Sequence, residues 1–188
     1  MNKVVLIDHN DSFTYNLVAL IERVSGEKPA VISVADVLID KLNQYDKLIL
    51  SPGAGMPEDY PVSFQILERY GASKAILGVC LGHQIIAEYY DAKLYNLEEV
   101  VHGQTKQISV DNSVLFRQIP KEFKVGLYHS WAVKKDEFPS ELQVTSWSED
   151  DIIMSLQHQK YQVYGVQFHP ESFLTENGER ILKNFLNV

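Results

Sequence analysis

The segment Gly78-Val79-Cys80-Leu81-Gly82-His83-Gln84 sets the chain's only cysteine between two glycines, each two positions away. It is the cysteine counterpart of the Gly-x-Ser-x-Gly elbow, where a sharp strand-to-helix turn exposes a nucleophile and small flanking residues let strand and helix approach. A sulfur at a helix N-terminus meets the positive end of the helix dipole, which stabilises negative charge on it. The free N–H of Leu81 can donate to a developing oxyanion. A lone cysteine is more often a small buried apolar residue. Such a filler needs neither glycine, so the pattern favours nucleophilic chemistry.

A thiolate nucleophile needs a proton-transfer partner and a group that orients that partner. Gln167-Phe168-His169-Pro170-Glu171 supplies both within three residues. In an extended chain His169 and Glu171 project to the same side, and Pro170 biases His169 toward that form. Glu171 can then hold the imidazole, as the acidic member of a triad does. Alone, the segment reads equally as a polar turn with His169 capping a backbone group; beside the elbow, the triad is the better reading.

Transition-state charge needs a third part, and Leu50-Ser51-Pro52-Gly53-Ala54-Gly55-Met56-Pro57 fits it. Its glycines let backbone N–H groups turn toward one point. A nucleotide-phosphate loop fits less well: Glu58 replaces the third glycine of Gly-x-Gly-x-x-Gly, and no Gly-Lys-Ser/Thr occurs. His9, His83, His102, His129 and His158 lack metal-ligand spacing, so neither a metal nor another cofactor is expected. Tyr128-His129-Ser130-Trp131 reads as a pocket lining or, equally, as a buried aromatic corner.

These groups must be positioned by a fold, and the apolar pattern indicates one. Short β-rich runs at Val4–Ile7, Ala30–Val34, Lys47–Leu50 and Ala75–Val79 alternate with helix-spaced segments. The helical segments are Phe13, Leu17, Leu20, Ile21 and Val24 behind caps at Asp11 and Ser12; a short helix over 37–42; Val62, Ile66, Leu67 and Tyr70; and Ile85, Ile86 and Tyr89. The alternation predicts an α/β domain with an open, mostly parallel sheet, and puts Cys80 at the carboxyl end of a strand, where such sheets bind ligands. From about residue 105, closely spaced strands at 107–110, 123–128, 142–147, 152–157 and 161–168 predict an antiparallel extension in the C-terminal half. A last helix from about Glu176 carries Ile181, Leu182, Phe185 and Leu186.

With 188 residues, one domain over 1–188 is expected. Lys plus Arg number 17 against 25 Asp plus Glu, a net charge of −8 that repels nucleic acid and anionic membranes. One cysteine allows no internal disulfide, and the start reaches Asp8 too early for a signal or membrane segment, so a cytoplasmic location is expected.

Together these segments resemble the class I glutamine amidotransferases, specifically the small subunits of anthranilate and aminodeoxychorismate (para-aminobenzoate) synthases. The resemblance rests on Asp8-His9-Asn10-Asp11-Ser12-Phe13-Thr14-Tyr15-Asn16-Leu17, Ser51-Pro52-Gly53-Ala54-Gly55, the Cys80 elbow, Tyr128-His129-Ser130 and Gly165-Val166-Gln167-Phe168-His169-Pro170-Glu171-Ser172. It implies a flavodoxin-like open sheet with helices on both faces, and a glutamyl thioester on Cys80, with His169 and Glu171 completing the triad. It further implies an oxyanion hole at Gly53 and Leu81, with glutamine held by Gly53, Ala54, Gly55, Gln84, Ser130 and Trp131. The implied partner is a larger chorismate-binding synthase subunit, in a heterodimer or heterotetramer, for tryptophan or folate biosynthesis. Ala54 and Asn10 stand where the family often has Pro and Tyr, and Leu127 where it often has a basic residue. Two competing readings are a stand-alone cysteine hydrolase of another γ-glutamyl or acyl compound and a non-catalytic regulatory domain. The latter should lack a triad member, and none is missing.

Overall fold

The structure, a computed structural model, describes residues 3–188 apart from the Glu99 side chain. Among the described residues nine strands form one sheet: β1 Val4–His9, β2 Ala30–Ser33, β3 Lys47–Gly53, β4 Ala75–Val79, β5 Leu94–Val110, β6 Glu122–Val133, β7 Leu142–Ser148, β8 Ile153–His158 and β9 Val163–Val166. Four α-helices accompany them: α1 Thr14–Ser25, α2 Pro61–Tyr70, α3 Leu81–Tyr89 and α4 Gly178–Leu186. The strand order is β2-β1-β3-β4-β9-β8-β7-β5-β6. The first five run parallel, and the rest continue antiparallel from β9.

Side-chain alternation along the parallel strands builds two apolar layers. Leu6, Ile49, Leu77 and Val166 face α1 and α4, where Leu17, Ile21, Ile181 and Phe185 are wholly buried. Val5, Ile7, Leu48, Leu50 and Ile76 face α2 and α3, meeting Ile66, Leu67, Ile85 and Ile86. Because β1, β3, β4 and β9 are parallel, their carboxyl ends share one edge of the sheet. Residues just past those ends are thus brought together despite their distance in sequence. Among the described residues, no helix is long and apolar enough to cross a membrane.

Several sequence expectations are corrected. The short helix expected over 37–42 is two 3₁₀ turns, Val34–Asp36 and Ile39–Gln44. So brief a segment gains too few i→i−4 bonds for an α-helix. Helix α1 starts at Thr14 with no side-chain cap; Asp11 instead accepts from the Phe13 N–H at 2.7 Å. Strand β5 begins at Leu94 rather than near Gln107, and its bulges at 96–101 and 102–104 hide the two-residue period. Strand β9 stops at Val166, where the chain leaves the sheet.

The elbow glycines are needed for contact. A Cβ on Gly78 would lie 2.3 Å from the Gly82 carbonyl carbon and oxygen, and one on Gly82 would lie 2.3 Å from the Leu50 carbonyl oxygen. We expect Gly78→Ala to cost about 3 kcal/mol, or roughly 6–12 °C in thermal midpoint. Gly26→Ala, with φ +79 and nothing within 4 Å of the new methyl, should cost only about 1 kcal/mol. Equal losses in thermal denaturation would contradict this account of the elbow.

Candidate functional site

Cys80 occupies the single residue between β4 and α3, with φ 52 and ψ −101. Its N–H donates to Val166 O at 2.8 Å, and its carbonyl accepts from the Gln84 N–H at 3.1 Å. The strained residue is therefore tied to β9 on one side and to α3 on the other. It is nearly buried, 6% exposed. The Leu81 N–H, first in α3, has no acceptor within the helix.

His169 follows β9 by three residues and Cys80 follows β4 by one, and the pairing Val79↔Val166 sets the two strand ends side by side. The expected extended segment is instead a turn, in which the Ser172 N–H donates to His169 O at 3.2 Å. Pro170 fits the second position of such a turn. The two side chains meet nonetheless: His169 Nδ1 and Glu171 Oε1 are 2.7 Å apart, with side chains 2% and 0% exposed. A Cβ on Gly178 would lie 1.9 Å from Pro170 O, so α4 starts directly against this turn. The His169 N–H also donates to Gly126 O of β6 at 3.1 Å. The rings of Phe13 and Tyr128 flank the imidazole, with centroids at 5.3 and 4.9 Å. His169 Nε2 is buried and makes no hydrogen bond of good geometry among the described residues.

Gly53 ends β3 next to the elbow; a Cβ on it would come within 2.6 Å of both Leu81 Cδ2 and His9 Cβ. The loop beyond it is braced from within, Tyr60 donating to Ala54 O at 2.7 Å and the Met56 N–H donating to Asp59 Oδ2 at 2.8 Å. Ala54 and Gly55 are exposed. Behind the loop His9 is fully buried, with Nδ1 3.1 Å from Ser51 Oγ and Nε2 2.9 Å from Ser63 Oγ. On β6, Ser130 and Trp131 are half-buried, and Trp131 O accepts from Gln84 Nε2 at 3.0 Å and pairs with His129 Nδ1 at 2.8 Å. Gln167, fully buried, bonds both Gln84 and Cys80. The sequence reading gives it no role, though a polar amide in the apolar run Tyr164–Phe168 must find partners once buried.

The histidines divide by charge. Burial alone would strip His169 of its proton, but the nearby Cys80 charge, then the Glu171 hydrogen bond and charge, push it up to about 10. Burial dominates at His9, His83 and His129. It lowers His9 to about 4 against the pull of Asp8, and His83 to about 3. His129 falls to about 4, burial again leading, with the His169 and Lys106 charges adding to it against the Trp131 contact. The stabilisation His169 provides is complete below about 6.5 and lost as pH rises through about 10. His9, His83 and His129 act in reverse: below about 6.5 the unfolded chain takes up protons that the native state refuses, so stability falls with pH. Histidine NMR should find His169 charged at pH 8 and the other three neutral at pH 5.5. A His169 that titrates near its ordinary value would contradict this arrangement.

A family model described as "Glutamine amidotransferase class-I" matches residues 5–188. A Haemophilus influenzae protein provisionally named anthranilate synthase component II is 44% identical over 99% of this chain and 96% of its own length. Aminodeoxychorismate synthase component 2 of Escherichia coli is 37% identical, covering 98% of this chain and 99% of its own. Among solved structures, a protein of Thermoplasma acidophilum, provisionally named as a GMP synthase subunit, superposes with TM-score 0.88 at 23% identity, over 100% of this chain and 93% of its own. That last likeness speaks for the fold. With the family match spanning nearly the whole sequence and these identities beside it, the chain belongs to the class I glutamine amidotransferases.

Proposed function

We propose that this chain, one domain over residues 1–188, is a cytoplasmic glutaminase subunit. It hydrolyses the side-chain amide of L-glutamine and passes ammonia to a larger chorismate-binding synthase subunit, in a heterodimer or heterotetramer. The product is anthranilate or aminodeoxychorismate, depending on the partner. One observation carries the reading: a strained cysteine at the β4–α3 turn beside a buried His169–Glu171 pair bonded at 2.7 Å. The names of the relatives support the pathway.

The Cys80 sulfur attacks the amide carbon, and the N–H groups of Gly53 and Leu81 receive the tetrahedral oxyanion. His169, charged and held by Glu171, gives its Nε2 proton to the leaving nitrogen. The C–N bond breaks, ammonia departs and a γ-glutamyl thioester remains. Neutral His169 then takes a proton from water as it attacks the thioester; collapse expels the sulfur and frees glutamate. The Gly53-Ala54-Gly55 loop, Gln84, Ser130 and Trp131 hold the glutamine. Both Nε2 protons of Gln84 are engaged, by Trp131 O and Gln167 Oε1, so its Oε1 is the atom left to accept from the substrate.

Uncoupled turnover would waste glutamine, so the isolated chain should be slow until its partner docks; full activity without a partner would count against this. Reconstitution with each candidate synthase and chorismate tests the central role. Cys80→Ser should lower the glutamine-dependent rate at least about 10³-fold while the ammonium-dependent rate survives. Equal loss of both, or turnover of other amides with refusal of glutamine, would overturn the proposal.

A further inference from the structure

Gln167 lies just past β9 with no exposed surface and has no part in the steps above. Its Nε2 donates to Cys80 Sγ at 3.6 Å, and its Oε1 accepts from Gln84 Nε2 at 3.1 Å. The orientation of the amide follows from chemistry. Trp131 O is a backbone carbonyl and can only accept, so the nitrogen of Gln84 must face it. That same nitrogen reaches Gln167, whose oxygen must therefore face Gln84 and whose NH₂ must face the sulfur. The Trp131 carbonyl is fixed in turn by His129 Nδ1 at 2.8 Å. The sulfur is also 4.0 Å from Tyr128 O, an acceptor that suits the thiol and repels the thiolate.

We infer that Gln167 is a positioning residue for the nucleophile: its amide aims the Cys80 sulfur and stabilises the sulfur's negative charge, and the Gln84–Trp131 chain holds that amide in place. This rests on the reading of Cys80 as nucleophile. A donor to an ionised sulfur forms a charge-assisted bond, stronger than one between neutral groups. Charge near the sulfur comes from His169 with Glu171 behind it; His129 on β6 and His83 on α3 are neutral at physiological pH. Gln167 is then the one uncharged side-chain donor aimed at the sulfur among the described residues. It also links the nucleophile to Gln84 and Trp131, two residues proposed to touch glutamine.

The test is the pH dependence of Cys80 alkylation by iodoacetamide in the full chain, with Gln167→Met as the variant lacking a donor and Gln167→Glu as the near-isosteric one. Circular dichroism and thermal midpoints check that each is folded. Removing a hydrogen bond to a charged group should raise the alkylation midpoint by about one pH unit and slow alkylation about tenfold at pH values below the wild-type midpoint. In the reconstituted synthase kcat for glutamine should fall while KM changes little. Gln84→Met, which does not touch the sulfur, should shift the alkylation profile in the same direction by a smaller factor. Gln167→Glu should alkylate at least as slowly at pH 7. A folded Gln167→Met or Gln167→Glu with the wild-type alkylation profile would overturn the inference while leaving the nucleophile reading intact. Wild-type alkylation at Cys80 that spares glutamine hydrolysis would remove both.

Discussion

The site depends on one backbone conformation. At φ 52 and ψ −101 Cys80 lies outside the wells ordinary residues occupy, including the left-handed helical one. Such a residue costs on the order of 1–3 kcal/mol and persists only when its surroundings over-determine it. Here they do. The flanking peptide groups are bonded to β9 and α3, and the helix is pressed so closely on β4 and β3 that neither Gly78 nor Gly82 has room for a methyl group. Relaxing the turn would swing the sulfur away from His169 and re-aim the first N–H of α3. Strain, nucleophile and oxyanion donor are consequences of the same contact.

The parallel half of the sheet explains why that turn is useful. Gly53 ends β3, and Cys80 and His169 follow β4 and β9; the three strands are adjacent and run in the same direction, so a shared edge gathers these residues without a dedicated loop. The antiparallel half supplies the opposite wall through β6, whose backbone contacts His169 and, through Trp131, Gln84. Burial then sorts the titratable groups. Among the described residues His9, His83 and His129 have no carboxylate in hydrogen-bonding contact and are held neutral, whereas His169, with the Glu171 carboxylate at Nδ1 and the Cys80 charge nearby, retains its proton. The imidazolium beside the sulfur is the pair that an acyl transfer to sulfur needs before substrate arrives.

Much of this was legible in the residues. Gly78 and Gly82 encode the elbow because only glycine permits the approach, and the runs at β1, β3 and β4 were readable from their continuous apolar character. The turn at 169–172 was not. Pro170 suits an extended chain and the second position of a turn equally, and the choice was made by contacts from Gly126 and Gly178, distant in sequence. Strand β5 was half hidden because its bulges and the positive φ of Gly103 break the alternation on which strand reading relies. The only local sign of Gln167 is a polar amide set in an apolar run, and that does not name its partners, Gln84 and Cys80, which lie more than eighty residues away. The long-range contact, not the local pattern, makes it part of the site.

The most direct test of a sulfur presented for attack on a glutamine amide is covalent capture. The wild-type chain would be incubated with a diazoketone analogue of glutamine, with and without excess glutamine, and the labelled peptide identified by mass spectrometry. The account predicts one adduct per chain, on Cys80, with glutamine protecting against it. No adduct on Cys80, or labelling that glutamine fails to slow, would contradict it.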